Sequence, residues 1–400
     1  MSYFAHSFAL YIFFSTFEKM LSRHYYILCT LLWLLLLCST STAQSTTFSA
    51  GRWGLEVNYI AGRFLKHGTD HIPTAFSHGI ELSYFHKTLG EKPWHRGMGY
   101  PEVGVAFTFF SFADHRVFGD AYALMAYAKF YVIRSRVANL YVRIGGGYGL
   151  LSRQYDAASN PTNTLISTPI NMAIQLRVGL EWKINKYLQL NTAASFNHFS
   201  NAGMNLPNFG LNMPSATIGF KVFPHPIQLA YDCQSTTYFR KNEFLWKLSI
   251  GIMQLHSFNY TTPVPTATYI APSILLAYAR YINPGNKFYG GLAFEYFPAI
   301  RDYLIANDIH TRYGATFDAS IPSLVLGDEF ILGSMSMFYS AGIYLWKNTA
   351  AIAPIYFKIG MNVYVATLHH HRGIKFFFGN NVKAHLNVAQ YNEFSIGGTL

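Results

Sequence analysis

The chain has 400 residues, 51% hydrophobic and only 12% charged, with a formal net charge of +11. Aromatic residues reach 17%, yet mean hydropathy is only +0.14, and past residue 43 no run approaches the roughly 18 apolar residues that a membrane helix needs. A bundle of membrane helices is therefore excluded, and high aromatic content with alternation in place of long apolar runs points to a transmembrane β-barrel, with a large soluble β-sandwich as the competing reading.

The first residues read as an export signal. Arg23 and His24 precede an apolar run from Tyr25 to Cys38, and Ser41-Thr42-Ala43 form a small-residue cleavage site before Gln44. The expected boundaries are a signal peptide over 1–43, with Met20 as a candidate true start, and a barrel over 44–400. Cys29 and Cys38 leave with the signal, so the mature chain keeps Cys233 alone and can form neither an internal disulfide nor a cysteine metal cluster. With an envelope address, the excess of Lys and Arg suits anionic lipid headgroups, including lipopolysaccharide phosphates, better than nucleic acid.

Along the mature chain, alternating stretches fall near 55–64, 78–87, 102–112, 121–132, 139–151, 171–184, 187–200, 214–223, 243–256, 268–282, 287–297, 335–347, 354–367, 373–387 and 391–400. The pattern is clean. Met172, Ile174, Leu176, Val178, Leu180 and Trp182 form one row, opposed by Asn171, Ala173, Gln175, Arg177, Gly179 and Glu181. Apolar-out and polar-in segments of about ten residues are those of an outer-membrane barrel. The stretches come to an odd number, whereas bacterial single-chain barrels are even. The fold expected is thus all-β, one antiparallel transmembrane barrel of about 14 strands (12–16), in the outer membrane of a Gram-negative cell. Ile184-Asn185-Lys186-Tyr187 is a tight, periplasmic-type turn, so the segment after Ser200 faces outward. Arg301 to Gly333 reads as the longest outer loop.

The stretch Leu188 to Pro214, LQLNTAASFNHFSNAGMNLPNFGLNMP, carries the chemistry. Leu188, Leu190, Thr192, Ala194 and Phe196 form a strand's lipid-facing row, and His198 and Ser200 continue it. A base and a hydroxyl thus stand side by side at the outer end of an apolar stripe. A serine needs a base to take its proton, and imidazole titrates in the right range. The ring needs a partner on its other nitrogen, and Asn212, at the start of the next strand, can return to it. Asn201, Asn208 and the backbone around Gly203 and Gly210 offer donors for a developing oxyanion. The bland reading is a polar pair at the headgroup boundary.

His198-Phe199-Ser200-Asn201 followed by Pro207-Asn208-X-Gly210 resembles the lipid A 3-O-deacylase family, the acyloxyacyl hydrolases of the outer membrane. That resemblance implies His198 as base, Ser200 as nucleophile and Asn208 in the oxyanion hole. The family's acid falls at Asn212, where this chain has an amide. A weaker resemblance links the His-X-Ser-Asn run, with an asparagine twelve residues beyond the serine, to outer-membrane phospholipase A. That enzyme places a calcium-binding arginine three residues after its serine, and this chain has Gly203 there. The first resemblance implies a serine hydrolase that needs no cofactor or metal and removes an ester-linked acyl chain from lipid A. Phospholipid is the alternative substrate, and a non-catalytic porin-like barrel is the rival of another class. The oligomeric state is left open. His369-His370-His371-Arg372 reads as a polar strand end, because adjacent strand residues point to opposite faces. Gly145-Gly146-Gly147-Tyr148-Gly149 opens no helix and reads as close strand packing.

Overall fold

A computed structural model describes residues 52–66, 73–225, 241–255, 267–309, 313–346, 353–367, 374–386 and 388–400. The proposed signal, Cys233 and the His369–Arg372 tract lie outside the described residues. The chain is all-β and antiparallel, but the strands close twice. β1 (Trp53–Gly62), β2 (Ser77–Lys87), β3 (Glu102–Ser111), β4 (Asp120–Arg134), β5 (Ala138–Leu151), β6 (Ile170–Lys183), β7 (Leu188–Ser200) and β8 (Leu211–Val222) form one closed barrel. Its last strand returns to its first, from Leu55 opposite Val222 to Gly62 opposite Ser215. β9 (Asn242–Leu255), β10 (Ala267–Asn283), β11 (Asn286–Tyr296), β12 (Ser320–Leu332), β13 (Met335–Tyr344), β14 (Ile355–Thr367), β15 (Lys375–His385) and β16 (Val388–Thr399) form a second, closed by β16 against β9 from Asn392 opposite Ile252 to Thr399 opposite Leu245.

The expectation of a single barrel of about 14 strands is therefore corrected to two barrels of eight. Alternation tells which face of a strand meets lipid, but a strand that closes a barrel alternates like any other. The odd count arose from an omission. β12, SIPSLVLGDEFIL, lies inside the stretch read as the loop Arg301 to Gly333. Pro322 and the adjacent Asp328 and Glu329 break its pattern, and both acids are buried. The long connection is 297–319, which carries α3 (Pro298–Ala306) and α4 (Ala315–Asp318); the first barrel's connections hold α1 (Pro93–Gly97) and α2 (His115–Phe118).

Eight strands leave an interior just wide enough for side chains, and here charged groups fill it. In the first barrel, Lys129 donates to Glu56 at 3.0 Å and to Glu181 at 2.6 Å, and Lys221 reaches Glu181 at 2.7 Å. Glu81 accepts from Arg143 at 2.8 Å and from both terminal nitrogens of Arg177 at 3.0 and 3.1 Å. The second barrel repeats the device. Lys287 pairs with Glu243 and Glu329, both at 3.2 Å, while Lys358 and Lys383 converge on Glu295. These networks occupy the space that a porin-like barrel would leave to water, which removes the wide lumen on which the porin alternative rested. Glu56, Glu102 and Glu181 crowd together like metal ligands, but Lys129 sits among them and supplies the positive charge.

The outer faces are inverted relative to a soluble protein. Leu55, Val57, Leu82, Leu124, Ile250, Leu292 and Leu326 are all exposed, as lipid contact requires. No helix among the described residues is long and apolar enough to cross a membrane; strands do the crossing, and closure leaves no unpaired edge in lipid. In the first barrel, the connections 63–76, 112–119, 152–169 and 201–210 share one end, opposite the short connections 135–137 and 184–187. Short turns are periplasmic, so the connection 201–210 lies at the outer end.

The interior network makes a testable demand. Glu81→Ala leaves Arg143 and Arg177 buried without their carboxylate, and losing one partner of a buried pair costs about 3–5 kcal/mol. Unfolding of the variant in detergent micelles should shift accordingly, and a midpoint equal to the parent's would show that the network carries no such weight.

Candidate active site

The face on which His198 and Ser200 stand is decided by the residue between them. Phe199 is buried in the first barrel's interior, its ring 6.0 Å from Phe110 and 6.2 Å from Phe112. Space for it comes from Gly149, where a β-carbon would lie 2.7 Å from the Phe199 ring. A one-residue slip would turn this phenyl into lipid and both polar side chains inward. With Phe199 locked, His198 and Ser200 emerge on the outside of the wall at the outer end of β7. Asn212 is the cross-strand partner of His198 on β8. Its amide oxygen lies 2.7 Å from His198 Nδ1. Donation from Nδ1–H to this oxygen fixes the tautomer that leaves Nε2 as the proton acceptor.

Ser200 is only 7% exposed. Two donors meet its hydroxyl oxygen, the Asn208 side-chain amide at 2.8 Å and the backbone N–H of Ala202 at 3.0 Å. The connection after β7 therefore folds back over the serine. Asn201 builds that fold. Its side-chain oxygen accepts from Gly203 N–H at 3.0 Å, and its amide donates to Ser167 Oγ at 3.0 Å and to the Asn205 carbonyl at 2.9 Å. Gly210 N–H donates to the Leu165 carbonyl at 3.0 Å. Of the four residues expected around an oxyanion, Asn208 thus points at the serine, whereas the amides of Gly203 and Gly210 are engaged elsewhere and Asn201 shapes the loop. Sequence reasoning missed Ala202, a donor visible only once the chain reverses at φ 55° there. It also missed Ser167, brought in from the β5–β6 connection.

Gly210 has a different use. Its φ is +77°, and a β-carbon built there would lie 2.9 Å from His198 Cε1 and 3.6 Å from Ser200 Cβ. The imidazole and the serine thus flank one glycine, which leaves them the room to approach. An acid from elsewhere in the chain could in principle take the place of the amide at 212, but those nearest in the fold or toward the outer ends of strands have partners of their own. Asp120 meets His115 at 3.0 Å, Asp156 accepts from Ser159 N–H at 2.7 Å, and Glu181 and Glu295 belong to the interior networks of the two barrels.

Two family models match this chain. "Lipid A 3-O-deacylase (PagL)" takes in residues 78–221, and "Acyloxyacyl hydrolase, C-terminal domain" takes in residues 242–400. The chain belongs to the lipid A 3-O-deacylase family. Each model covers most of one barrel, so the family's own division falls where the strands close. Membership makes this an outer-membrane protein of the lipid A-remodelling hydrolases. No curated protein matches the sequence. Among solved structures, Neisserial surface protein A is 9% identical over 44% of this chain and 99% of that one, with a TM-score of 0.32. The outer membrane enzyme PagL is 15% identical over 41% and 97%, with a TM-score of 0.26. OccAB4 from Acinetobacter baumannii is 9% identical over 89% and 98%, with a TM-score of 0.22.

Gly210→Ala tests the packing of the pair. It should leave the barrel folded while displacing the imidazole, and a catalytic His198–Ser200 pair would then lose at least about tenfold in ester hydrolysis, because small displacements of reacting groups are costly. The checks are turnover in micelles and the heat-dependent gel mobility of the barrel. Unimpaired hydrolysis would mean that the ring has somewhere else to go.

Proposed function

We propose that this deacylase-family protein is a serine hydrolase that removes one ester-linked acyl chain from lipid A, with Ser200 as nucleophile, His198 as general base and Asn212 as the residue that orients the imidazole. The observation that carries the reading is the outward row His198–Ser200 at the outer end of β7, with the ring braced by Asn212 at 2.7 Å. Lipid A lies in the outer leaflet of the membrane named by the family, so an ester near its sugars meets the barrel at that level.

The steps follow from the atoms present. His198 Nε2 takes the Ser200 proton as Oγ attacks the ester carbonyl. The tetrahedral oxyanion needs donors close by, and Asn208 Nδ2 and Ala202 N–H are the candidates, since both lie within hydrogen-bond reach of the attacking Oγ, beside which the oxyanion forms. Collapse expels the sugar alkoxide, which receives the proton from His198, and leaves an acyl-serine. Water, deprotonated by the same imidazole, then releases a free fatty acid and restores Ser200. No step calls for a metal or cofactor.

Asn212 distinguishes this site from a triad with an acid. An amide holds the ring but adds no negative charge to offset the imidazolium formed in the transition state. Asn212→Asp should raise kcat by about tenfold, and Asn212→Leu, which removes the brace, should lower it by roughly a hundredfold or more. Equal rates in the parent and both variants would remove Asn212 from the mechanism.

Mass spectrometry of lipid A tests the function itself. Cells producing the protein should show lipid A lacking one acyl chain, and cells producing Ser200→Ala should not. An acyl pattern unchanged by the parent protein, with phospholipid hydrolysis in its place, would shift the assignment to a phospholipase. Loss of an acyl chain that persists in Ser200→Ala would overturn the serine mechanism.

A further inference from the structure

The connection that holds Ser200 is not completed by its own barrel. One flank rests on the β5–β6 connection of the first barrel, through Ser167 and Leu165. The other flank rests on the second barrel. Gln254, at the outer end of β9, grips it twice. Its backbone N–H donates to the Gly203 carbonyl at 2.8 Å, and its side-chain oxygen accepts from Leu206 N–H at 2.7 Å. Beside it, the β16 backbone approaches so closely that a β-carbon on Gly203 would lie 3.0 Å from the Gln390 carbonyl oxygen. Asn392 donates to Met204 Sδ at 3.3 Å. Three of the four loop residues 203–206, Gly203, Met204 and Leu206, therefore take part of their support from the second barrel.

The support bears on chemistry because of what adjoins it. Ala202, which donates to Ser200 Oγ, immediately precedes the pinned stretch. Asn208, the other donor, follows it by two residues. A main-chain N–H or carbonyl removed from water must find a partner, and at Leu206 and Gly203 that partner is Gln254.

We propose that the second barrel is a positioning element for the first barrel's serine, and that Gln254 is the residue through which it acts, setting the segment that carries the Ala202 and Asn208 donors. The inference rests on Ser200 being the nucleophile. Gln254 touches neither the serine nor the substrate's ester, so it is a positioning residue. Its loss should slow the chemical step and leave binding of the lipid nearly unchanged.

The experiment uses the full-length protein in detergent micelles and three substitutions. Gln254→Met keeps the side chain's length but has no oxygen to accept from Leu206. Gln254→Glu keeps an acceptor and serves as the rescue. Ser200→Ala is the reference. Two readouts are taken, kcat and KM on a lipid ester, and the rate at which a fluorophosphonate labels the serine. The Met variant is expected to lose about tenfold or more in both kcat and labelling rate, as displaced catalytic groups do, with KM within about twofold of the parent. The Glu variant should recover most of the loss. Gel mobility before and after heating reports whether each barrel has folded, and if Gln254→Met does not fold, Gln254→Ser replaces it. A Gln254 variant that folds, labels and turns over like the parent would overturn the positioning role while Ser200→Ala remains inactive. If Ser200→Ala itself hydrolyses the ester, the catalytic reading fails first and is recognised separately.

Discussion

Closure of the sheet after eight strands is the constraint on which everything else depends. Once β8 pairs with β1, no backbone edge faces lipid, and the circumference is too small for a water-filled lumen. Polar residues on the inward rows then have only one another as partners. Carboxylates and cations alternate across the interior, so that Lys129 sits among Glu56, Glu102 and Glu181, and Glu81 receives both Arg143 and Arg177. With the interior filled, no substrate can enter it. Chemistry on a membrane lipid must take place on the outer wall, where His198 and Ser200 stand.

Much of this was legible in the chain, and what was not has a physical reason. The rows of each strand follow from a period of two, and the motif's face followed from Leu188, Leu190 and Phe196 preceding it on the same row. Phe199, pointing inward, completes that logic. The point of closure left no trace, because hydrogen bonds between β8 and β1 involve backbone that every sequence possesses. β12 was lost because Asp328, on the outward row of Leu324 and Leu326, is followed at once by the inward Glu329, and two adjacent acids blur the alternation. Ala202 and Gln254 were invisible for another reason. Their roles depend on a chain reversal and on an inter-barrel contact, and neither has a signature in residue type.

The second barrel gains a physical rationale from the seam. A ten-residue connection at the rim of a barrel would ordinarily be the least restrained part of the wall. This one is braced from both sides, by the β5–β6 connection and by the ends of β9 and β16. The brace falls on the segment that turns the Ala202 and Asn208 donors toward the serine. Preorganised donors are useful only if they do not move when charge develops. A neighbouring eight-stranded barrel supplies a rigid abutment that a lone one lacks.

The amide at position 212 fits the same setting. Asn212 lies half-buried on the outward row of β8, against the His198 ring, where an ionised carboxylate would lose hydration. When the imidazole is neutral, such a charge has no full counterpart, so the resting enzyme would bear its cost throughout the cycle. An asparagine supplies the same acceptor oxygen, the same 2.7 Å contact with Nδ1 and the same tautomer without that charge. On the proposed mechanism the cost moves to the transition state, where the imidazolium is less well compensated. Placement of the ring and of the oxyanion donors must then supply more of the acceleration, and a site that depends on placement has the greater need of the second barrel's support.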